Sequence, residues 1–395
     1  MDTFKKKRNG EKTMLIEIHM LQNHVPSNLN RDDSGSPKDC VFGGVRRARI
    51  SSQCLKRSIR QSEMFKSKLP TMGQRTRKMP VEIKNKLIKD GMSEEIAELC
   101  GRIAGGIGSN ADKIADKLET KQIMFFSEDE VNEIAEILKK LAEGKSAVDV
   151  AKIKPSEIEK KMKSNPHLNI TPDIALFGRM VTSDMFRDIE ASIQVAHAIS
   201  THKLEHEFDY FTAVDDLSDK FEGMSEQGSA MIGEIEFTSA CYYKYYVIDS
   251  DGFIANMTHG KADPKEKENA KKIFIDLIAG FIRAAIYANP SGKQNTFAAH
   301  QLPDAVLIEI KEEKIPVSYA NAFLEPVLSK PNEDLMVASI KRLKKQIEDT
   351  TKIFNINSKH KIWLNTKNID IEGTEKANNV NTLISNIEDK LKKEL

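Results

Sequence analysis

Residues 31–60 read RDDSGSPKDCVFGGVRRARISSQCLKRSIR. They hold eight basic residues, Arg31, Lys38, Arg46, Arg47, Arg49, Lys56, Arg57 and Arg60, against three acidic ones, Asp32, Asp33 and Asp39. Gly43 and Gly44 precede the arginines, and glycine lets backbone amides approach an anion closely. Ser51 and Ser52 follow, placed to N-cap a helix by accepting hydrogen bonds from the unpaired N–H groups of its first turn. In that helix Gln53, Lys56, Arg57 and Arg60 share one face, while Leu55 and Ile59 lie on another and anchor it to a core. No carboxylates balance the ridge four residues on, as they do on an ordinary salt-bridged helix face. Residues 61–90 continue the bias, so 31–90 carries a net +10. Crowded cations repel one another and a polyanion relieves the repulsion, so this surface suits a sugar-phosphate backbone.

The remainder of the chain is not basic. Its 395 residues sum to a net charge of +1, so nucleic-acid contact is expected in a defined groove rather than a diffuse cloud. Cys40, Cys54, Cys100 and Cys241 are scattered, with no CxxC pair, and read as reduced thiols. The N-terminal stretch MDTFKKKRNGEKT is charged and has no apolar core, so no signal peptide is expected. No run approaches the ~20 apolar residues of a membrane span. A cytoplasmic protein that touches no membrane is the expectation.

Residues 14–22 alternate like a strand until Pro26–Asn30 break the pattern. From 66 to 167 the chain turns charged and helical. Ile96, Leu99 and Ile103 mark one amphipathic helix; Val131, Ile134, Leu138 and Leu141 mark another, which opens on Ser127 and Glu130 in capping-box spacing. An inserted helical subdomain follows from this. Strand is expected at 172–182, helix at 189–202 and strand near 208–214. Between Lys203 and Glu236 stand ten acidic residues against two basic, with Gly223, Gly228 and Gly233 among them, which predicts a projecting loop or hairpin. Residues 235–248, IEFTSACYYKYYVI, form a strand rich in aromatic and β-branched residues. A helix over 264–288, strands near 294–300 and 304–311, a helix near 333–348 and a polar tail over 351–395 complete the chain. This order predicts an α+β fold of ferredoxin-like type, a mixed antiparallel sheet with helices on one face, carried by 14–65 and 168–350 around the 66–167 insertion.

Other constellations yield to plainer readings. His202-Lys203-Leu204-Glu205-His206 matches H-x-x-E-H, in which two histidines bind zinc, with His197 nearby. It falls where helix is expected to give way to strand, and no third ligand is evident, so surface or core histidines are preferred. The pairs Asp32-Asp33 and Asp215-Asp216 are able to hold a divalent ion or serve as a general base, although turn formation is the commoner role. Ser291-Gly292-Lys293 lacks the upstream glycine of a phosphate-binding loop, and Gly105-Gly106-Ile107-Gly108 is not a dinucleotide fingerprint. Phe237, Tyr242, Tyr243, Tyr245 and Tyr246 are able to stack bases but fall on both faces of their strand, which points to core packing.

Residues 27–60 resemble the N-terminal signature of the CasC family, the backbone subunit of the type I-E CRISPR effector complex Cascade. Three further blocks match in order: IALFGRMVTSDM (174–185) with VAHAISTH (195–202); DYFTAVDDL (209–217) with EQGSAMIGEIEF (226–237); and GKQNTFAAH (292–300) with SYANAF (318–323). The resemblance spans 15 to about 325. It implies an RRM-like (ferredoxin-like) palm, a helical fingers insertion at 66–167 and a thumb loop at 203–236. Copies would polymerise head to tail along CRISPR RNA, kink the guide at regular intervals and present it to a target DNA strand. Other Cascade subunits would be partners, with no cofactor, no metal and no reaction catalysed by this subunit. The RNA-binding residues carried over are Arg31, Lys38, Arg46, Arg47, Arg49, Ser51, Ser52, Gln53, Lys56, Arg57 and Arg60, with Met180 and Phe211 as wedges at the kinks and Lys293 and Gln294 as a further contact. Phosphate contacts carry no sequence information, as acceptance of any spacer requires. The rival is a metal-dependent RNA endonuclease of type III-like kind using Asp32 or Asp33. The basic extension Lys5–Arg8 lies outside the family pattern.

Overall fold

The structure, a computed structural model, describes residues 14–108, 113–163, 169–180, 186–213, 231–260, 263–328 and 331–395. Its strands are β1 (Leu15–Ser27), β2 (Asp39–Phe42), β3 (Val45–Ile50), β4 (Gln74–Thr76), β5 (Met124–Phe126), β6 (Ile193–Val195), β7 (Ala198–Ser200), β8 (Glu207–Ala213), β9 (Met231–Asp249), β10 (Ala305–Lys311), β11 (His360–Asn365) and β12 (Glu375–Lys376). With the helices they make a mixed α+β fold whose large sheet runs β12-β11-β10-β1-β9-β7-β3-β2, with β6 and β8 also paired to β9. The pairing is mostly antiparallel; β11 with β12 is parallel. The chain divides into two compact units.

The first unit takes in the described residues of Met1–Phe65, Gln194–Ile248 and Ala279–Leu395. β9 is apolar or aromatic on both sides, so both faces of the sheet need cover. Cys241, Tyr243, Tyr245 and Val247 pack with Met336, Ile340, Leu343 and Ile347 of the helix Leu335–Phe354. On the other side Ala240 and Tyr242 pack with Leu55 of the helix Ser52–Gln61, and Tyr246 meets Phe281 edge to face. Each large apolar side chain so buried contributes about 1.5–3 kcal/mol. Helices therefore cover both faces, not one as expected.

Several local expectations change. Residues 172–177 are helix, not strand: Pro172 stands at the start behind Thr171, and Gly178 ends the helix at φ 77°. Any Cβ at Gly178 would press on the backbone of Ala191. The helix expected over 189–202 is instead β6 and β7, with Ile199 opposite Tyr243. Residues 294–297 form one helical turn rather than a strand. The expected polar tail, 351–395, is folded. β11 extends the sheet beside β10, and the helix Val380–Glu394 buries Leu383, Ile384, Ile387 and Leu391. Trp363 donates its indole N–H to the Ile369 carbonyl at 2.7 Å. Few apolar residues suffice when all of them lie on one helical stripe.

The second unit comprises the described residues of Lys66–Ile193 and Asp249–Ile278, more than the expected 66–167 insertion. Ile83, Leu87, Ile103, Phe126, Ile134 and Leu138 centre its core. The helix Glu128–Ala142 opens on a complete capping box, with the Ser127 hydroxyl accepting from the Glu130 N–H and the Glu130 carboxylate accepting from the Ser127 N–H. Buried Arg179 donates to Glu130 at 2.8 Å.

Candidate nucleic-acid interface

The run VRRARI becomes a strand, so its arginines alternate sides. Arg46 is exposed and paired with Asp39. Arg49 donates to the Asp39 carbonyl at 2.8 Å and to Nδ1 of exposed His197 at 3.0 Å. Desolvation, then Arg49 and Lys38, hold the His197 imidazole below its ordinary pKa, so the ring accepts as a neutral group. Arg47 departs from the expected RNA-contacting role. Its side chain is fully buried, and its five N–H donors reach the carbonyls of Phe42, Ser200, Thr201, Phe323 and Leu324 at 2.8–3.3 Å. A guanidinium with all five donors occupied inside the protein holds loops together; it does not face a ligand.

Ser51 is likewise structural, since its hydroxyl accepts from the Cys54 N–H and its own N–H donates to Asn30. Ser52 donates to Gln53 within the first turn. Leu55 and Ile59 are buried, while Gln53 and Arg57 are exposed and Lys56 and Arg60 half-buried beside them. Desolvation lowers the Lys56 pKa.

An open cleft of about 950 Å³ lies beside this helix. Three segments form it: the Arg31–Gly35 loop, the helix stripe Cys54, Arg57, Ser58 and Gln61, and the Ala288–Gly292 turn. The cleft-facing stripe is rotated about a quarter turn from the Gln53–Lys56–Arg60 ridge, and Arg57 belongs to both. The loop is shaped by Asp32, whose carboxylate accepts from Ser34 N–H and Oγ–H and from Ser36 N–H, which lowers its pKa. Gly292 packs against the Leu29 and Asn28 carbonyls, where a Cβ would collide. Lys293 adopts φ 50°, a left-handed conformation uncommon for a side-chain-bearing residue and frequent at functional turns. Gln294 faces inward, donating to the Pro290 and Ala299 carbonyls.

Met180 is 92% exposed, in the second unit. Phe211 is half-buried, its ring lying over Gly233 on the opposing strand. Phe208, Tyr210 and Ile232, on the other face of the β8–β9 hairpin, are the exposed apolar residues there. Residues 214–230 of the expected thumb loop, including Asp215 and Asp216, lie outside the described residues, as do 181–185 and the extension Lys5–Arg8. The H-x-x-E-H histidines diverge: His202 bonds to Lys203 O and Cys241 N, and His206 pairs with Glu236.

Two buried polar groups escaped the sequence reading. Glu17, His19 and Glu309 bring ligand atoms within 4.8 Å of one another. Lys311 pairs with Glu17 and Lys361 lies 3.5 Å from Glu309, so the two carboxylates are already balanced by two ammoniums. The second group is Lys244 with Gln22 and His24. The signal for both was present, since Glu17, His19, Gln22, His24 and Lys244 interrupt otherwise apolar strands.

The sheet and the helices that cover it make a fold also found in chains of CRISPR RNA-guided surveillance complexes. The chain superposes on one from such a complex in a pre-nicking state with TM-score 0.78 at 25% identity, covering 96% of this chain and 100% of that one. It superposes on a chain of a second CRISPR RNA-guided surveillance complex with TM-score 0.70 at 21% identity, over 95% and 99% of the two; this likeness speaks for the fold. No curated protein matches. The profile of the CT1975-like protein family matches residues 16–390, and the chain belongs to that family.

Proposed function

We propose that this chain is the CRISPR RNA-binding backbone subunit of a type I-E Cascade. Copies polymerise head to tail along the spacer, kink the guide at regular intervals and present the intervals to target DNA. This subunit catalyses nothing, acts in the cytoplasm and works beside the other Cascade subunits. The observation that carries the reading is the likeness to a surveillance-complex chain along 96% of this chain and the whole of that one. The strand order supports an RRM-like palm, because β1 stands between β9 and β10, with β7 beyond β9, as the first strand of a ferredoxin-like unit stands between its third and fourth. Exposed Arg31 and Arg57 on one cleft, near the turn that carries Lys293, support a backbone-phosphate path. The exposure of Met180 suits a wedge at a kink. Asp32 spends its carboxylate on its own loop, which favours a shaping role over the endonuclease alternative. No helix among the described residues is long and apolar enough to cross a membrane.

Co-expression with a CRISPR array tests this. Short RNAs carrying a uniform repeat-derived handle should co-purify and sediment with several copies of the chain. A one-to-one complex would exclude polymerisation, and RNA of no defined register would exclude the guide-binding role.

A further inference from the structure

Lys244 lies in the middle of β9, between Tyr242 and Tyr246 on the face covered by the helix Ser52–Gln61, and is 1% exposed. A buried ammonium is normally paired, because desolvation of a lone charge costs several kcal/mol. Among the described residues no carboxylate bonds it, and its one hydrogen-bond partner is the Gln22 side-chain carbonyl, which leaves two of three N–H donors unused. The titratable groups around it are His24 of β1, whose pKa is lowered to about 3 and which stays neutral, and Cys54 of the neighbouring helix, whose thiol burial pushes up. Tyr242 and Tyr246 on its own strand are also held protonated by burial. Beyond Cys54, Lys38 and Arg57 add further positive charge.

Among the described residues the counter-charge is missing, and the cleft lies next door. Cys54 and Asn289 line it, Gln22 Nε2 donates to Asn289 Oδ1 at 3.0 Å, and the same Gln22 accepts from Lys244. The cleft lining carries Arg31 and Arg57 against Asp32 and Asp33, so its own formal charge sums to zero. Lys244 behind the floor is the surplus cation. We propose that the cleft floor between Cys54, Asn289 and Gly292 binds one phosphate group, and that Lys244, with Gln22 and Asn289 between, is the buried charge that balances it. The phosphate is a backbone phosphate of bound RNA or a free phosphate ion. The inference rests on the nucleic-acid reading of the cleft only for the first of these sources.

Burial lowers the Lys244 pKa to about 8. A phosphate beyond Gln22 and Asn289 still favours the charged form and raises that value, so binding takes up protons, and affinity is highest well below pH 8 and falls as pH rises through it. With the ammonium restored to its ordinary range, affinity falls about tenfold between pH 7 and pH 9. The test uses labelled oligoadenylate, whose bases do not titrate in this window. Wild type should weaken about tenfold over that range; Lys244→Met should bind more weakly at pH 7 and show a clearly shallower slope, Lys56 being common to both proteins, while melting no lower than wild type without ligand. Equal slopes in the two proteins overturn the proposal. If neither binds oligoadenylate, the nucleic-acid reading fails, and inorganic phosphate decides the inference. It should raise the melting temperature of wild type more at pH 8 than at pH 9, between which the ion stays almost wholly a dianion, and leave Lys244→Met unmoved; no such difference overturns it. Calorimetry of wild type in two buffers of different ionisation enthalpy guards against a misfolded variant, since zero proton uptake on binding also overturns it.

Discussion

Arg47→Met separates a structural arginine from a ligand-facing one. The wild-type guanidinium closes the gap between β3, the Ser200–Thr201 turn and the Phe323–Leu324 segment through five hydrogen bonds to carbonyls. Methionine keeps most of the stem volume and removes all five donors. Each buried carbonyl left unpaired costs about 1–3 kcal/mol, but the costs are not additive where loops relax together. A loss of about 4 kcal/mol is the working figure, in line with removal of one partner from a buried charged network. At about 2–4 °C per kcal/mol for a unit of this size, melting should fall by about 8–16 °C. Scanning calorimetry reads this directly, and the transition of the first unit should move while that of the second stays. RNA affinity measured well below melting should be nearly unchanged. Arg46→Ala is the comparison: its side chain is exposed, so melting should hold while RNA retention weakens. An Arg47→Met protein that melts like wild type and loses RNA would refute the structural assignment.

Three further outcomes follow from local geometry. Gly292→Ala should destabilise the first unit by about 1–3 kcal/mol and weaken RNA binding, because the new methyl meets the Leu29 and Asn28 carbonyls; thermal melts and a binding curve check both. His24 is buried, and desolvation and then Lys244 lower its pKa to about 3, so the unfolded chain takes up the proton first as pH falls below ~6.5. That costs about 3 kcal/mol of stability by pH 4.5, and His24→Leu should flatten the acid limb of a melting-versus-pH curve. Ser127→Ala should remove about 1 kcal/mol from the second unit alone through loss of the capping box, read as a shift of that transition only.

The legible parts of the sequence were those in which a local pattern has one physical solution. Ser51 as a cap, Leu55 and Ile59 as anchors, the Ser127–Glu130 box and the aromatic strand all stand where periodicity and capping chemistry put them. Arg47 was misplaced because a run of arginines reads as surface, whereas strand alternation turns alternate members inward and only distant carbonyls decide which one is satisfied there. Residues 172–177 were misread because an apolar run of that length fits strand or helix, and the deciding Pro172 and Gly178 were passed over. The folded C-terminal segment was hidden by polar composition, since Trp363 and the Leu383–Leu391 stripe gain their meaning only from β10 beside them. The cleft could not be read at all, because it assembles residues from 29–62 and 288–292 across the sheet.

Sequence-indifferent capture of guide RNA by the basic helix and its loop makes binding depend on salt and not on spacer. It is tested most directly by the affinity of wild type and of a Lys56→Ala, Arg57→Ala, Arg60→Ala variant for two guides with unrelated spacers, across a range of salt. Both guides should weaken equally, with a log affinity-versus-log salt slope shallower by about two. Unchanged affinity, or a loss confined to one spacer, would contradict it.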